Sequence, residues 1–174
     1  GKVLGILGAG SIGMEILRMV APFDFHLAAC DPLRTTEELA ALGAEKLEID
    51  ALFAKSDIVI VATALNDQTY HLVDGQMLAL MKRDAALINV ARGPVINEPD
   101  LIAALQNGQI RAAGLDVFEQ EPVQTDNQLL FMDNVITTSH SLCWTDECFD
   151  NIARDGLGSI LSFAAHQPPR YIVN

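Results

Sequence analysis

Four charged or titratable residues in the middle of the chain follow short apolar segments, and their types point to acid–base chemistry. In chain order they are Arg92, Asp116, Glu121 and His140. A histidine titrates near pH ~6.5 and can donate a proton at neutral pH, while an arginine offers a planar fork of donors that matches a carboxylate. Glu121, if it pairs with His140, would stabilise the imidazolium and raise its pKa. The set could therefore hold an acid and protonate a group beside it.

Each of these residues also has a structural interpretation when it is considered alone. Arg92 in its Gly-Pro loop could be a solvated surface residue, and His140 after a strand could make an ordinary structural hydrogen bond. Their common position favours function, because all of them follow predicted strands of one parallel sheet. The carboxyl ends of such strands lie along one edge, where ligands bind in open α/β folds.

The sheet is predicted from short apolar segments that alternate with longer segments of helical period. The predicted strands are Val3–Leu7, His26–Cys30, Asp57–Ala62, Ala86–Val90, Arg111–Val117 and Val135–Thr137. The predicted helices are Ser11–Val20, Thr36–Leu42, Ile49–Ala54, Gly75–Met81, Glu98–Gln106 and Thr145–Phe163. Right-handed crossovers between parallel strands give an α/β, Rossmann-like, doubly wound parallel sheet with helices on both faces.

A glycine-rich segment joins the first predicted strand to the first helix. Gly8, Gly10 and Gly13 are followed, 18 residues after Gly13, by Asp31 at the end of the second strand. In a dinucleotide site the first glycine makes the turn, the second admits the pyrophosphate, and the third lets helix and strand approach. The helix amino terminus supplies N–H groups to the phosphates. Such glycines also occur in structural turns, but strand, helix and distal acid occur here in the order that a dinucleotide site requires.

Asp31 bears on which dinucleotide would bind. Its carboxylate would accept hydrogen bonds from the adenosine ribose and repel a 2′-phosphate, which favours NAD over NADP. Arg34 lies nearby and weakens this preference, and Asp31 could instead simply begin a turn with Pro32.

Beside a nicotinamide, Arg92 and His140 would suit hydride transfer to a keto acid, in which the carbonyl oxygen gains a proton as its carbon gains hydride.

The composition argues against several other classes of protein. Asp and Glu number 23 against 11 Lys and Arg, a formal charge of −12, so the surface as a whole repels nucleic acid and anionic membranes. No apolar run reaches the roughly 18 residues that a membrane-spanning helix needs. The three cysteines lack the spacing of a zinc site, so no metal is predicted. Idle thiols favour a reducing, cytoplasmic location.

Four segments of the sequence resemble one known family. They are GKVLGILGAGSIG, LINVARGPVINEPDLIAAL, AAGLDVFEQEP and TTSHSLCWTDE. In order and spacing they resemble the NAD-binding domain of the D-isomer-specific 2-hydroxyacid dehydrogenases, which include phosphoglycerate, D-lactate and hydroxypyruvate reducing enzymes. The resemblance implies an NAD-binding Rossmann domain over residues 1–155, while residues 156–174 would return to a substrate domain absent from this chain.

The resemblance also implies roles for individual residues. Arg92 would bind the substrate carboxylate, Glu121 would pair with the acid–base His140, and Asp116 would contact the nicotinamide amide. Besides the glycines, Arg92 and His140, the implied cofactor contacts are Ser11, Ile12, Asp31, Thr63, Ala64, Thr69, Val90 and Ala91. A glutamate at position 121 argues against the related formate dehydrogenases, which usually carry glutamine there.

Four positions depart from the usual pattern of the family. They are Ala64 and Ser139, where proline is usual, Asn66, where threonine is common, and Asp84, where glycine is usual. None of these departures removes a charged catalytic group. They leave open the shape of the nicotinamide pocket, and with it which 2-keto or 2-hydroxy acid would bind.

Family members carry a further segment ahead of this point, which helps to form a substrate domain that closes over the cofactor. The resemblance therefore implies an excised or truncated domain that binds NAD but turns over poorly or not at all. It also implies a homodimer formed through this domain. The apolar residues of Ile12–Val20 could contribute to that contact, or could equally pack on the sheet.

Two other functions remain open at this point. An NAD-sensing interaction module of the corepressor type resembles the same family and keeps Arg92, Glu121 and His140, so turnover by the whole protein is what would separate it from an oxidoreductase. The cofactor domain of a 3-hydroxyacid dehydrogenase resembles the glycine-rich segment, but it usually depends on a downstream lysine and ranks last.

Overall fold

The structure is a computed structural model that describes residues 1–169, and the chain divides into two compact units, Gly1–Ser139 and a second unit that begins at His140. All the strands lie in the first unit. They are β1 (Lys2–Leu7), β2 (Phe25–Cys30), β3 (Ala44–Lys46), β4 (Ile58–Val61), β5 (Ala86–Asn89), β6 (Ala112–Leu115) and β7 (Val135–Thr137). They form one parallel sheet in the spatial order β3-β2-β1-β4-β5-β6-β7.

The strand order has a direct consequence for ligand binding. The chain first runs outward from β1 to β3 and then returns to build the other half of the sheet from β4 to β7. Connections therefore leave β1 and β4 in opposite directions. This leaves a crevice at their carboxyl ends, which is where open parallel sheets bind their ligands.

Helices of the first unit connect the strands and cover both faces of the sheet. They are α1 (Ser11–Val20), α2 (Thr36–Ala40), α3 (Ile49–Lys55), α4 (Gly75–Leu80) and α5 (Glu98–Gln106), with short 3₁₀ helices at Gly93–Val95 and Gln128–Phe131. The second unit contains α6 (Asp146–Ala164). Several begin with a capping side chain that accepts a backbone N–H of the first turn. Asn97 accepts from Asp100, and Thr35 forms a reciprocal capping box with Glu38.

The core has two parts because successive side chains of a strand point to opposite faces. Leu4 and Ile6 of β1 pack with Leu17 of α1 on one face. Leu7, at the opposite parity, packs with Leu52 of α3 on the other face. The predicted doubly wound sheet with helices on both faces is therefore confirmed.

Most predicted elements are present with ends that differ by a residue or two. The exception is β3, which was not predicted: Ala44 is buried, but Glu45 is exposed and Lys46 is half-buried. An edge strand of this kind carries no apolar run, and only its pairing with β2 defines it. The strand predicted over Arg111–Val117 is shorter, since only Ala112–Leu115 pair in the sheet.

Helix α1 contributes both to the core and to the surface. Leu17 is fully buried, while Met14 and Ile16 are partly buried against the same core. Ile12 and Met19 are 59% and 67% exposed, so apolar surface remains on this helix. Among residues 1–169, no helix is both long and apolar enough to cross a membrane.

The predicted domain boundary after residue 155 falls inside α6 and stays a prediction. Residues 170–174 of the predicted C-terminal segment lie outside the described part of the chain.

Candidate functional site

A groove of about 600 Å³ lies at the carboxyl ends of the central strands of the first unit. Its walls come from three loops, which follow β1, β4 and β5. The lining residues are Gly10, Ser11, Ile12, Ala62, Thr63, Ala64, Leu65, Val90, Ala91 and Arg92. The volume lies within the range of roughly 300–1,000 Å³ that is usual for small-molecule sites. The amino terminus of α1 opens onto this groove, so its free N–H groups are available to an anion there.

The three glycines of the loop after β1 have different surroundings. Gly8 has a φ of 94°, and a Cβ there would lie 2.6 Å from the backbone of Thr63. At Gly13 an added Cβ would lie 2.1 Å from the carbonyl oxygen of Gly8, so helix and loop touch. Gly10 has an ordinary φ of −70°, and an added Cβ would meet open space. Two glycines are therefore required by the fold, whereas Gly10 leaves room beside the groove.

Asp31 holds the glycine loop to the end of β2. Its Oδ2 accepts a hydrogen bond of 2.7 Å from the N–H of Ala9, and its Oδ1 accepts one of 2.8 Å from the N–H of Leu33. Arg34 reaches the same loop from the other side, with Nε donating to the Ala9 carbonyl at 2.9 Å. Each carboxylate oxygen can accept a further bond, so Asp31 can support the loop and still bind a hydroxyl group.

The thiol of Cys30, beside Asp31, is kept in its neutral form. Burial raises its pKa above the ordinary value, and the negative charges of Glu48 and Asp31 raise it further, against the opposing effect of Lys46. This cysteine therefore lacks the low pKa of a reactive thiol.

Arg92 lies on a turn whose backbone is held by the buried side-chain amide of Asn89. Asn89, 1% exposed at the end of β5, donates from Nδ2 to the Arg92 carbonyl at 3.0 Å and accepts the Ala91 N–H at Oδ1, also at 3.0 Å. The Arg92 side chain itself is exposed, and its Nη1 donates to the Ala91 carbonyl at 2.7 Å. The backbone is thus held while the guanidinium reaches the groove.

Asp116 and Glu121 follow the neighbouring strand β6. Asp116 is 6% exposed, its backbone N–H donates to the Asn89 carbonyl at 3.1 Å, and its Oδ1 accepts from the Thr138 hydroxyl. Glu121 is exposed and its Oε1 accepts the Phe118 N–H at 3.0 Å. The structure therefore brings Arg92, Asp116 and Glu121 to adjacent strand ends of one unit.

His140 is the first residue of the second unit and has a φ of 54°, an uncommon backbone conformation for histidine. It comes three residues after the end of β7. Its predicted pairing with Glu121 stays a prediction.

The loop after β4 is held together by its own hydrogen bonds. Thr69 donates from its hydroxyl to the Ala64 carbonyl at 2.6 Å and accepts the Asn66 N–H at 2.8 Å. The Asn66 side chain accepts from the N–H of Gln68 at 2.9 Å. Asn66 and Thr69 thus support the loop that carries Thr63 and Ala64 on the groove wall, even though Asn66 departs from the usual pattern.

A comparison with known families identifies the family of this chain. The sequence model of the D-isomer specific 2-hydroxyacid dehydrogenase NAD binding domain matches residues 1–141. The chain belongs to this family. It is an NAD-binding domain of the D-2-hydroxyacid dehydrogenase family, as its sequence predicted.

Individual relatives of this NAD-binding domain agree with the family assignment. Glyoxylate/hydroxypyruvate reductase B of Yersinia pestis bv. Antiqua is 41% identical over 163 residues, which are 92% of this chain and 50% of that protein. Lactobacillus jensenii D-lactate dehydrogenase, solved with NAD⁺, superposes with a TM-score of 0.90 at 28% identity, over 99% of this chain and 56% of that one.

A third relative was solved with NADPH instead of NAD⁺. The D-isomer specific 2-hydroxyacid dehydrogenase of Xanthobacter autotrophicus, in complex with NADPH, has a TM-score of 0.86 and 32% identity, over 99% of this chain and 71% of that one. The chain spans about half the length of the curated relatives that it matches.

Sequence reasoning missed several residues that shape the site of this NAD-binding domain. Asn89 lies within a predicted apolar strand, and a polar side chain in such a run is itself a signal of a specific hydrogen bond. The sequence predicts only a loop at Gly93, yet an added Cβ there would lie 1.7 Å from the Phe118 carbonyl oxygen. Nothing in the sequence signals that contact, because it joins two separate loops.

Proposed function

We propose that this chain is the NAD-binding part of an enzyme that interconverts a small 2-keto acid and a D-2-hydroxy acid by hydride transfer. The observation that carries the proposal is the composition of the groove. One wall is the glycine loop at the amino terminus of α1, and the opposite wall ends in Arg92. Within this one groove, the N–H groups of α1 can donate to a cofactor phosphate, and the Arg92 guanidinium can donate to a substrate carboxylate.

The cofactor would bind along the carboxyl edge of the sheet. We propose that the N–H groups at the start of α1, around Ser11 and Ile12, hold the pyrophosphate, with Gly10 leaving room for it. Asp31 would accept hydrogen bonds from the adenosine ribose. The remaining proposed contacts lie on the loops after β4, β5 and β6 and at the start of the second unit, at Thr63, Ala64, Thr69, Val90, Ala91, Arg92, Asp116 and His140.

NAD, when bound, supplies the hydride acceptor or donor. The rest of the chemistry falls to side chains of this chain. Arg92 would bind the substrate carboxylate in a bidentate manner and so orient the adjacent carbonyl. His140 would donate a proton to the carbonyl oxygen, and Glu121 would stabilise the imidazolium. Asp116, sheltered and anchored by Thr138, would fix the nicotinamide amide.

Turnover would need parts of the protein beyond this NAD-binding chain. Since the chain spans about half the length of its curated relatives, we propose that other parts of the protein complete the substrate pocket and exclude water. We also propose a cytoplasmic homodimer. The exposed Met19 on α1 offers apolar surface for such a contact.

The carboxylate anchor can be tested on the chain itself. Oxamate, which carries a carboxylate and mimics a 2-keto acid, should bind the NADH-saturated chain and shift the Arg92 Nε–H signal in NMR spectra. Arg92→Gln should weaken oxamate at least tenfold, since a hydrogen bond to a charged group is worth about 1.5–3 kcal/mol. NADH affinity should change far less.

Arg111→Gln is the matched control, because Arg111 is exposed at the opposite end of β6 and donates to the Asp84 carbonyl. It removes the same charge from the chain. If both variants weakened oxamate equally, overall charge rather than a specific anchor would explain the binding, and the assignment of Arg92 would fail.

The choice of dinucleotide depends on Asp31. NADH should bind more tightly than NADPH, and Asp31→Asn should narrow the difference, because the amide keeps an acceptor for the loop while it removes the charge that repels a 2′-phosphate. Arg34 then remains to attract the phosphate. Titration by cofactor fluorescence measures both affinities.

Glu37→Gln removes one negative charge from the neighbouring α2 and serves as the control. An NADH/NADPH ratio that stays the same in Asp31→Asn, or that moves as much in Glu37→Gln, would show that Asp31 does not set the preference.

A further inference from the structure

The loops that carry Arg92 and Glu121 are joined by two carboxylates for which the proposed chemistry has no use. The backbone N–H of Glu98 donates to Oε2 of Glu119 at 2.9 Å. The backbone N–H of Glu119 donates in return to Oε2 of Glu98 at 3.0 Å. Each acid therefore fixes the main chain of the other, one at the start of α5 and one in the loop after β6.

The other oxygen of each acid is also occupied. Oε1 of Glu119 lies 2.8 Å from Nε2 of His71, and Oε1 of Glu98 accepts from Nδ2 of Asn127 at 2.7 Å. His71 also reaches the Arg92 turn, because its backbone N–H donates to the Pro94 carbonyl at 2.8 Å. One histidine thus contacts both loops.

The backbone of His71 has a conformation that is uncommon for residues other than glycine. Its φ is 50°, in the left-handed region that costs a residue other than glycine free energy. Its ring stacks on Tyr70 with a centroid separation of 4.0 Å, and its Nδ1 lies 3.4 Å from Nδ2 of Asn97. Backbone and ring are therefore fixed together.

The hydrogen bonds among His71, Glu98 and Glu119 lie next to the loops that carry Arg92 and Glu121. Asn89, which holds the Arg92 turn, lines one small cavity together with Gly93, Glu98 and Glu119. The side chains of His71 and Glu119 are 27% and 26% exposed, so their hydrogen bond is partly sheltered from water. Sheltered bonds to a charged acceptor are stronger than neutral bonds at the surface.

We propose that Glu119, held by His71 and Glu98, is a positioning residue that fixes the Arg92 turn against the Glu121 loop. It would act on substrate through Arg92 and Glu121, without touching substrate or cofactor, and this role rests on the function proposed above for Arg92. A displacement of the order of 1 Å at an anchor is enough to weaken productive binding strongly.

The test compares Glu119→Ala with Glu119→Gln in the full chain. Glu119→Ala should shift the backbone amide signals of Arg92, Gly93 and Glu121 in NMR spectra. It should weaken oxamate about tenfold, as the loss of roughly one hydrogen bond predicts, while NADH affinity stays the same. Glu119→Gln should restore most of the oxamate affinity, because its carbonyl accepts the Glu98 N–H and its amide can donate to a neutral His71 ring.

Two further variants keep the experiment decisive. Gln120→Ala changes the exposed neighbour of Glu119 and should alter neither the signals nor the affinities. If Glu119→Ala does not fold, His71→Asn replaces it, since asparagine tolerates the left-handed backbone but is too short to keep the ring contact. It should give the same pattern of shifts and weaker oxamate binding.

Specific outcomes would overturn the proposal. Unmoved Arg92 and Glu121 amides in a folded Glu119→Ala chain would do so, as would NADH and oxamate affinities that fall in parallel in both Glu119 variants. If the wild-type chain binds no oxamate, this chain alone does not form the carboxylate anchor, and the amide shifts alone decide whether Glu119 positions the two loops.

Discussion

Gly10→Val should weaken NADH binding roughly a hundredfold, while the chain stays folded and loses only about 1 kcal/mol of stability, because valine is a poorer N-cap than glycine. The position has an ordinary φ of −70°, so valine can adopt the backbone, and its added Cβ would meet no protein atom within 4 Å. The side chain would instead occupy the space beside the amino terminus of α1. The pyrophosphate could then no longer reach the free N–H groups of the helix.

The size of the effect follows from the bonds that are lost. Two hydrogen bonds to a charged phosphate, at about 1.5 kcal/mol each, correspond to roughly a hundredfold loss of affinity. Fluorescence titration with NADH measures that loss, and urea unfolding measures stability. The two readouts separate a blocked site from an unfolded one.

Gly156→Val is the matched control for this variant. Gly156 lies in α6, and an added Cβ there also meets no atom within 4 Å. It should leave NADH binding intact. If Gly10→Val bound NADH as tightly as the wild type does, the groove beside α1 would not be the cofactor site.

Gly93→Ala should destabilise the chain by about 3 kcal/mol or more, which is large for the addition of one methyl group. The added Cβ would lie 1.7 Å from the carbonyl oxygen of Phe118, 1.9 Å from its carbon and 2.4 Å from the backbone nitrogen of Glu119. All three are main-chain atoms, which cannot rotate away as a side chain can. The two loops must therefore separate.

Separating the loops of Gly93 and Phe118 should also disrupt the proposed binding site for the substrate carboxylate at Arg92. Arg92 immediately precedes Gly93, so a displaced turn would carry the guanidinium with it. Urea unfolding should show the loss of stability, and oxamate titration of the remaining folded protein should show weaker binding.

Gly114→Ala provides the comparison for a glycine without such contacts. Its added Cβ would lie 3.6 Å from Ile88, an ordinary van der Waals distance, within β6. Its free energy of unfolding should stay close to that of the wild type. A Gly93→Ala chain as stable as Gly114→Ala would mean that the two loops are less closely packed than the structure shows.

The elements that could be predicted accurately are those with local signals at both ends. Helix α5 begins and ends as predicted, because Asn97 caps its first turn, Pro99 suits that turn and Asn107-Gly108 ends it. Strand β3 could not be predicted, since its short polar sequence becomes a strand only through hydrogen bonds to β2. Local sequence carries no record of such a partner.

The features of the candidate site also fall into those that the sequence predicts and those that depend on tertiary contacts. The glycine loop and the charged groups after β5 and β6 were predicted from their types and order along the chain. The hydrogen bonds of Asn89, the packing of Gly93 on Phe118 and the exchange between Glu98 and Glu119 were not. Each of these contacts joins residues whose relation depends on how two loops meet.

The fold class, the family and the residue types that can do chemistry could all be recognised from the sequence. The fold class follows from the period of the apolar residues and from glycines at a turn, and the chemical groups follow from their residue types, all of which are local. The family was identified from the resemblance of four sequence segments. Which atoms hold those groups in place depends on the folded structure. A buried amide, a glycine without room for a Cβ and two carboxylates that bind each other's backbone take on these roles because folding brings distant segments within hydrogen-bonding distance.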